Sequence, residues 1–413
     1  MQFDDQQEDA LRQVNTWIKE KGRQVFYFFG YAGTGKTTLA KHLASGIDGE
    51  VIFAAYTGKA AHVLKTKGCD NARTLHSLIY KSRDKSRSRL LDLQIQLDEL
   101  IKDLSSSGLG AEQIDYHPRV IRLRSDVKIE QDDTDRPVFV LNHESDILEA
   151  ALVIIDECSM VDEKMGRDLL SFGIPILVLG DPAQLPPVGG AGFFTENINP
   201  DVMLTDIHRQ AAESPIIRMA TETRNQIPLT LGNYGDNCWV HPKGTKLATE
   251  DVLLFDQIIV GKNDTRKFTN NRIRKLKGIE DPFPVVGDRL VCLRNNTELG
   301  ILNGAMFEVS EITGVIDEKV YMHIHPEDNQ TSIELGAHQH HFLGTESELK
   351  WFEKRDAQEF AYGYALTCHK SQGSQWRSVA VFDESHCFKS SKWRWLYTAI
   401  TRAADHINVV QMN

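Results

Sequence analysis

The sequence predicts an α/β fold with two domains in tandem, each built on a parallel sheet that carries helices on both faces. Short apolar runs alternate with helix-like stretches between residues 25 and 182, and the alternation resumes near residue 258. Such alternation is typical of parallel sheets covered by helices. A glycine-rich string, GYAGTGKT, directly follows the first apolar run. The length of 413 residues leaves room for two or three domains of roughly 150 residues each.

Composition and charge exclude several classes of protein. Hydrophobic residues make up 41% of the chain and charged residues 25%, which excludes collagen, a coiled coil and bulk disorder. The net charge of −11 argues against a histone-like basic surface, so any contact with nucleic acid must be local. The six cysteines form no CxxC pair and indicate neither a disulfide framework nor a zinc site. Because the sequence shows no secretion signal and no apolar run of roughly 18 residues, we expect a soluble cytoplasmic protein without a membrane partner.

The apolar runs predict the strands of both domains. Those of the first domain are VFYFF (25–29), VIFAA (51–55), ALVII (151–155) and ILVLG (176–180). Those of the second are QIIVG (257–261), DRLVCL (288–293), SVAVF (378–382) and INVV (407–410), with a basic helix from Arg266 to Lys277 and another helix near 392–401.

Two segments interrupt this pattern and are predicted to be insertions. Residues 81–140 contain a helix-like LLDLQIQLDELIKDL, and then VIRLRSDVKIEQ, DDTD and RPVFV, which predict a β-hairpin around an acidic turn. Residues 305–358 are polar and predicted to be rich in strands. The first domain is therefore predicted to comprise 1–80 and 141–205, and the second 206–304 and 359–413.

The string GYAGTGKT (30–37) matches the phosphate-binding pattern G-x-x-x-x-G-K-[ST], and the helix-compatible TLAKHLA follows it. Glycines here let backbone N–H groups surround phosphate oxygens, and the start of the helix adds the positive end of its dipole. Lys36 is predicted to reach the β- and γ-phosphates, and Thr37 to offer its hydroxyl to Mg²⁺. The pattern predicts binding of a nucleoside triphosphate.

Two further strand ends supply the groups that hydrolysis needs. Asp156 and Glu157 follow ALVII, which predicts one carboxylate for the metal and one that orients or deprotonates the attacking water. ILVLGDPAQLPPV places Gln184 after the next strand, at the sheet edge where ligands of open α/β sheets bind. Arg209 in LTDIHRQ and Arg402 in LYTAITRA are candidates for neutralising the transition state. If both arginines come from the second domain, the nucleotide lies in the crevice between the domains and its presence changes their separation. The alternative for each arginine is a surface salt bridge.

The ordered set of strings resembles the superfamily 1 helicases, in the RecD-like and Dda-like branch. The strings are Gln7 with Ala10 (Q motif), GYAGTGKTT (I), AAYTGKAA (54–61, Ia), TLHSL (74–78, Ib), IIDECSM (154–160, II), GDPAQLPPV (180–188, III), LTDIHRQ (204–210, IV), YALTCHKSQGSQW (364–376, V) and LYTAITRA (396–403, VI). In motif Ia, Tyr56 stands where many relatives have proline.

The resemblance implies two RecA-like P-loop domains, each with an insertion, that step along single-stranded DNA from 5′ to 3′. The first insertion would be a pin that splits the duplex, with Phe139 or a hairpin-tip residue as the wedge, and the second a small SH3-like β-barrel. The implied catalytic residues are Lys36, Asp156, Glu157, Gln184, Arg209 and Arg402. The implied ligands of ATP are Gln7, Gly33, Thr34, Gly35, Lys36, Thr37, Thr38 and Gly373, with Gln372 in the same nucleotide-sensing motif; Thr37 and Asp156 would hold Mg²⁺.

The predicted DNA contacts lie where strands run into the following helix or loop, an edge suited to phosphate binding. They are Thr57, Lys59, Thr74, His76, Thr367, His369 and Lys370. For the two histidines the alternative is burial with backbone partners. Two basic stretches, 81–89 and 262–277, are candidate phosphate tracks, although a solvated helix face is the commoner meaning of such runs.

We therefore expect an ATP-dependent, Mg²⁺-dependent DNA helicase that hydrolyses ATP and translocates on single-stranded DNA. The expected partners are single-stranded DNA and its junctions with duplex, together with single-strand-binding or replication proteins, and the expected functional state is a monomer. An RNA-directed superfamily 1 motor and a nucleotide-switched DNA-binding module without turnover remain as alternatives.

Overall fold

The structure is a computed structural model that describes residues 3–82, 88–107, 110–135, 139–187, 192–195, 199–206, 213–296, 299–327, 331–346, 348–349 and 357–412. These residues form two compact units, one from 1–78 with 145–413 and one from 79–144. Within the described ranges, no helix combines the length and apolar character needed to cross a bilayer.

The N-terminal part of the larger unit alternates helices and strands as predicted. Its elements are α1 (Asp5–Glu20), β1 (Val25–Gly30), α2 (Lys36–Ala44), β2 (Glu50–Ala55), α3 (Gly58–Thr66), β3 (Arg73–Thr74) and α4 (Leu75–Ile79).

The smaller unit follows in the chain. Its elements are β4 (Tyr80–Ser82), α5 (Ser88–Ser106), α6 (Ala111–Asp115), α7 (Pro118–Asp135) and β5 (Phe139–Leu141). The predicted β-hairpin is wrong, because VIRLRSDVKIEQ and DDTD lie within α7. The strands that are present, β4 and β5, pair in antiparallel fashion and bring Tyr80 opposite Leu141. In the described residues the unit thus combines the helices α5 to α7 with the two-stranded sheet of β4 and β5, in which Phe139 is 46% exposed.

The chain then completes the first sheet with β6 (Ala150–Asp156), α8 (Glu163–Leu170), β7 (Ile176–Gly180) and β8 (Val202–Leu204). The strand order is β3-β2-β6-β7-β1-β8, with parallel pairing throughout. Every residue of β7 is buried, as expected for a strand covered on both faces. Because parallel strands share one carboxyl edge, the ends of β1, β6 and β7 lie side by side at that edge.

The remaining elements build a second α/β sheet and a separate antiparallel one. They are α9 (Pro215–Arg224), β9 (Gly232–Gly235), β10 (Cys238–His241), α10 (Thr249–Leu254), β11 (Gln257–Val260), α11 (Asn263–Leu276), β12 (Arg289–Cys292), β13 (Met306–Ile316), β14 (Lys319–Pro326), β15 (Ile333–His338), α12 (Gln339–Leu343), β16 (Phe360–Tyr362), β17 (Ala365–Thr367), α13 (Cys368–Ser371), β18 (Trp376–Asp383), α14 (Lys392–Ile400) and β19 (Ala403–Gln411).

The second α/β sheet has the strand order β17-β11-β18-β19-β10-β9 and is parallel except for the pair β10–β9. Helix α14 packs into its core, where Trp395 and Tyr397 are at most 1% exposed. Leu185, from the segment after β7, belongs to the same core cluster. The predicted fold class, two α/β domains in tandem, is therefore confirmed, and Leu185 links the first to the core of the second.

The antiparallel sheet has the order β15-β14-β13-β12-β16. A bridge between Ala337 and Gln358 joins its β15 edge to the segment that leads into β16, so the two edges of the sheet meet as in a small barrel. The predicted boundaries 305–358 are too narrow, because β12 and β16 belong to this sheet. DRLVCL was accordingly wrongly predicted to be a strand of the second α/β sheet; Arg289–Cys292 pairs with β13 and β16.

Candidate nucleotide-binding site

A cavity of about 460 Å³ lies at the carboxyl edge of the first sheet, and both α/β domains contribute to its wall. The first domain supplies residues from the ends of β1, β6 and β7, and the second supplies residues from the end of α13 and the end of α14. The lining residues are Ala32, Gly33, Gly35, Lys36, Thr37, Thr38, Ala60, Val63, Leu64, Lys67, Asp156, Glu157, Gly180, Asp181, Gln184, Gly373, Ser374, Gln375, Thr401 and Arg402.

The loop between β1 and α2 has the conformation of a phosphate cradle. Gly33 and Gly35 have positive φ angles of 81° and 80°, which side-chain-bearing residues rarely adopt. A Cβ on Gly30 would lie 2.6 Å from Thr34 Oγ1, so only glycine fits there. Thr34 is 1% exposed, and its hydroxyl donates to the Tyr31 carbonyl at 2.9 Å. Thr34 thus shapes the loop from inside, while Thr37 and Thr38 face the cavity.

Lys36 and Thr37 begin α2 beside the acidic end of β6. Lys36 Nζ donates to the carbonyl oxygens of Gly30, at 2.6 Å, and Tyr31, at 3.0 Å. Thr37 Oγ1 donates to Asp156 Oδ2 at 2.9 Å. A hydroxyl and a carboxylate oxygen therefore meet at the mouth of the cradle, and such hard oxygen donors suit Mg²⁺.

Glu157 lies in the same wall and has a left-handed backbone, with φ 54°. Its backbone N–H donates to Asp156 Oδ1 at 2.8 Å, which fixes the turn. Burial raises the pKa of its carboxyl above the usual range, the charges of Asp156 and Asp181 raise it further, and those of Arg402 and Lys36 lower it. A carboxylate with a raised pKa is a stronger base than an ordinary carboxylate, which suits it to accept a proton from water.

The end of β7 brings Asp181 and Gln184 to the cavity. Gln184 is 8% exposed, and its Oε1 atom has no hydrogen-bond partner among the described residues. A buried oxygen of this kind normally finds a partner, and a water or ligand hydroxyl in the cavity would supply one. The orphaned oxygen of Gln184 and the donor pair of Thr37 and Asp156 therefore fit a bound Mg²⁺–nucleotide with an attacking water.

Arg402, which follows α14, brings positive charge from the second domain. It is 5% exposed, and its guanidinium donates to the carbonyls of Thr398 and Ser374, at 3.1 Å each. The structure therefore places Arg402 at the cavity with Lys36, not in a surface salt bridge. Arg209, the other predicted arginine, lies outside the described residues.

The predicted adenine ligand Gln7 is 2% exposed and does not line the cavity among the described residues. It belongs to a capping box at the start of α1, where its backbone N–H bonds Asp4. Its Nε2 donates to the Thr34 carbonyl at 3.2 Å, so it supports the phosphate loop. Gln6 instead accepts from the backbone of Thr205 and Asp206.

Residues of motif Ia and of motif V meet beside the cavity. Thr57 caps α3, with Oγ1 accepting from Ala60 N at 3.1 Å. A Cβ on Gly373, whose φ is 74°, would lie 2.8 Å from the Cβ of Ala60. Lys59 Nζ lies 4.7 Å from the centroid of the Trp376 ring. Motif Ia of the first domain and motif V of the second are therefore in direct contact.

The other predicted DNA-binding residues also lie at helix starts. Thr74 precedes α4 and accepts from Ser77 N at 3.1 Å, and Thr367 precedes α13. Burial lowers the pKa of His76 and of His369, with the charge of Lys164 as a further cause for His76. Both imidazoles are therefore neutral at neutral pH and are suited to hydrogen bonding or stacking.

Lys370 is the most electrostatically perturbed of these residues. Part of its side chain is exposed, but desolvation of the ammonium and the nearby charge of Arg266 lower its pKa to about 8.

No role was predicted from the sequence for Asp181, Tyr397 or Thr398, although the motif strings contain all three. Tyr397 O–H donates to Asp181 Oδ2 at 2.6 Å, and Thr398 Oγ1 accepts from Leu185 N at 2.9 Å. Gln372 adds a bond from Nε2 to the Leu185 carbonyl at 2.9 Å. The signal available in the sequence was the polar pair Tyr397-Thr398 within the apolar end of a helix, between Leu396 and Ala399, because buried hydroxyls require partners.

Two family models match segments of this chain that contribute to the cavity wall. A model described as AAA domain matches residues 2–245, which is more than half of the chain. A second model, described as UvrD-like helicase C-terminal domain, matches residues 362–410, from β16 to β19.

Two individual relatives align with nearly all of this chain. This chain is 22% identical to the uncharacterized protein R530 of Acanthamoeba polyphaga mimivirus, and the alignment covers 98% of this chain and 99% of that protein. It is 26% identical to the ATP-dependent RecD2 DNA helicase of Deinococcus radiodurans, covering 93% of this chain but only 46% of that protein. The chain thus spans about half the length of RecD2.

A solved structure of Bacteroides Pif1 bound to ssDNA shares the fold, with a TM-score of 0.53 and 19% identity, over 100% of this chain and 92% of that one. The two parallel sheets are accordingly RecA-like domains. These findings confirm the family predicted from the motifs. The chain belongs to the family that the AAA domain model describes, within the superfamily 1 helicases.

Proposed function

We propose that this chain is an ATP-dependent DNA helicase that translocates on single-stranded DNA. The observation that carries the proposal is the cavity between the two RecA-like domains, where Lys36 and Glu157 of the first domain and Arg402 of the second line one space. The similarity to RecD2 of Deinococcus radiodurans, an ATP-dependent DNA helicase, supports it.

The residues suggest how ATP is hydrolysed. The N–H groups of the loop from Gly33 to Thr38 and the ammonium of Lys36 would hold the phosphates. Thr37 and Asp156 would hold Mg²⁺, which neutralises charge on the β- and γ-phosphates when bound. Glu157 takes a proton from the attacking water, and Gln184 orients that water.

Arg402 would stabilise the charge that develops on the γ-phosphate in the transition state. Because it is carried by the second domain, hydrolysis requires the two domains to be closed around ATP. Arg209 is proposed to act with it. Loss of the γ-phosphate then removes the group that both domains contact, and this loss would loosen their closure.

Closure and opening would be converted to movement by the contacts of motifs Ia and V. The first domain would contact DNA through Thr57 and Lys59 of motif Ia and through Thr74 and His76 of motif Ib. The second domain would contact it through residues of motif V, which are Thr367, His369 and Lys370. Opening one base pair costs roughly 1.4 kcal/mol, and one nucleotide advances the motor by about 3.4 Å. The smaller unit, residues 79–144, would separate the strands, and the barrel would guide one of them.

We propose that the protein moves along single-stranded DNA from 5′ to 3′. This direction is inferred from the RecD-like and Dda-like branch of the helicases, which the motifs resemble. We propose that the protein acts as a monomer at junctions of single-stranded and duplex DNA, with single-strand-binding or replication proteins as partners.

The proposal is tested by steady-state ATP hydrolysis with and without single-stranded oligonucleotides of one sequence, made as DNA and as RNA. We expect stimulation by DNA, and loss of turnover in Glu157→Gln. Greater stimulation by RNA would favour an RNA motor, and nucleotide binding without turnover would favour a switch module. Duplexes with a single 5′ or 3′ tail then test unwinding and its direction, and unwinding of the 3′-tailed substrate alone would contradict the proposed polarity.

A further inference from the structure

A buried hydroxyl on α14 connects three parts of the nucleotide site that are distant in sequence. Tyr397 is 1% exposed. Its oxygen accepts from the backbone N–H of Ala32, in the phosphate loop, at 3.0 Å. Its O–H donates to Asp181 Oδ2, at the end of β7, at 2.6 Å. Ala32 and Asp181 both belong to the first RecA-like domain, whereas Tyr397 belongs to the second.

The acceptor of this bond is itself buried in the wall of the cavity. Asp181 is 3% exposed, and its other oxygen, Oδ1, accepts from Ala183 N at 3.0 Å. Burial raises the pKa of Asp181, while the charge of Lys36 and the bond from Tyr397 lower it. A buried carboxylate that loses one of its donors is destabilised, so the bond from Tyr397 stabilises the carboxylate of Asp181.

The same helix fixes the arginine of the site. Arg402 Nε donates to the Thr398 carbonyl at 3.1 Å, and Thr398 Oγ1 accepts from Leu185 N at 2.9 Å. Two neighbouring side chains, Tyr397 and Thr398, thus bond to Asp181 and Leu185 of the motif III segment. This pair links α14, whose Thr398 carbonyl accepts from Arg402, to the segment that follows β7.

We propose that Tyr397 is a positioning residue, which joins the phosphate-loop amide of Ala32 to the carboxylate of Asp181 and so holds α14, with Arg402, against the nucleotide. The inference rests on the proposed hydrolysis of ATP, which it deepens. A phenol meets this need because it accepts and donates at one atom, whereas phenylalanine of the same ring size does neither. Tyr397 itself takes no part in bond making or breaking.

The first test compares the parent protein with Tyr397→Phe in DNA-stimulated ATP hydrolysis. Because Arg402 acts in the transition state, we expect kcat to fall by about tenfold to a hundredfold and KM for ATP to change by less than twofold. Asp181→Ala should also lower kcat, and in that background Tyr397→Phe should cost less than a third of its effect in the parent. Equal effects of Tyr397→Phe in both backgrounds, or a parent-like kcat, would overturn the proposal.

The second test does not depend on turnover. Hydrogen exchange of the peptide that contains Ala32, followed by mass spectrometry, should be faster in Tyr397→Phe than in the parent, and unchanged exchange would overturn the link to the loop. If the parent shows no ATP hydrolysis, the proposed function fails while this exchange measurement still decides the link. Tyr27→Phe, which removes a phenol hydroxyl from β1 outside the described cavity lining, is the matched control and should leave both kcat and exchange unchanged.

Discussion

At the scale of single residues, the surroundings of the site residues change their pKa values, their hydrogen bonding and their positions. Burial raises the pKa of Glu157, and the Oε1 atom of Gln184 has no hydrogen-bond partner in the part of the chain that the structure describes. Lys36 is held in place by two main-chain carbonyls, so its ammonium is already at the cradle before phosphates arrive. Such preorganisation lowers the reorganisation needed for catalysis.

We predict that Lys36→Ala abolishes ATP hydrolysis, because the phosphate cradle loses its point charge. The measurement is phosphate release in the presence of saturating DNA. Lys19→Ala, in the last turn of α1, is the control and should retain parental turnover. Normal turnover in Lys36→Ala would refute the assignment of the cradle.

Lys370 provides a prediction about pH. With its pKa lowered to about 8, the ammonium is charged at pH 7 and loses its proton as the pH rises through about 8, and its attraction for a phosphate is lost with it. We therefore expect the affinity for single-stranded DNA to fall between pH 7 and pH 9. Fluorescence anisotropy measures this, and Lys370→Arg should bind DNA without that fall, since arginine stays charged. An unchanged slope in Lys370→Arg would show that another group titrates.

At the scale of elements, the smaller unit can be tested by removal. The two residues that flank it in the chain, Leu78 and Ser145, both belong to the larger unit. They are in direct contact, because Ser145 Oγ donates to the Leu78 carbonyl at 2.6 Å in a buried setting. A short Gly-Ser linker in place of Ile79–Glu144 can therefore span the gap without disturbing the first sheet.

We predict that this deletion impairs strand separation far more than translocation. Unwinding of a tailed duplex should be nearly lost, whereas DNA-stimulated ATP hydrolysis and displacement of a protein block from single-stranded DNA should stay within about threefold of the parent. Thermal unfolding checks that the larger unit remains folded. Equal loss of unwinding and translocation would count against a pin in this unit.

At the scale of the whole molecule, an acidic protein is proposed to bind a polyanion. The net charge is −11, and the two histidines of the predicted DNA contacts are neutral because burial lowers their pKa. Among the described residues proposed to contact DNA, Lys59 and Lys370 carry the positive charge. The remaining proposed contacts are threonine hydroxyls and neutral imidazoles.

This distribution predicts a weak salt dependence of DNA binding. With about 0.7 counterions released per neutralised phosphate of a single strand, two lysines give a slope of roughly −1.4 in a plot of log K against log salt concentration. Titrations between low and moderate salt measure the slope, and Lys59→Ala should reduce its magnitude by about half. A slope several times steeper would mean that further basic residues, such as those of the stretches 81–89 or 262–277, also contact phosphates.

The elements that sequence patterns predicted well are those with one strong local signal. The strands ending at Gly30, Asp156 and Gly180 are continuous apolar runs followed by motif residues, and all lie where predicted. The segment within α7 was wrongly predicted, because β-branched residues alternating with charged ones over a few positions favour a strand locally, whereas the full 18 residues form a helix. DRLVCL was misplaced because a buried antiparallel strand has the same composition as a buried parallel one.

The phosphate loop, the acidic pair after β6 and the order of the motifs were predictable from the sequence, because each of these depends on residues that are neighbours in the chain. Only the tertiary structure revealed that Tyr397 joins Ala32 and Asp181, which are 365 and 216 positions away. It also decided that β12 pairs in the barrel. Hydrogen bonds of a buried phenol and the partner of a buried strand depend on which surfaces the fold brings together, and no local spacing encodes them.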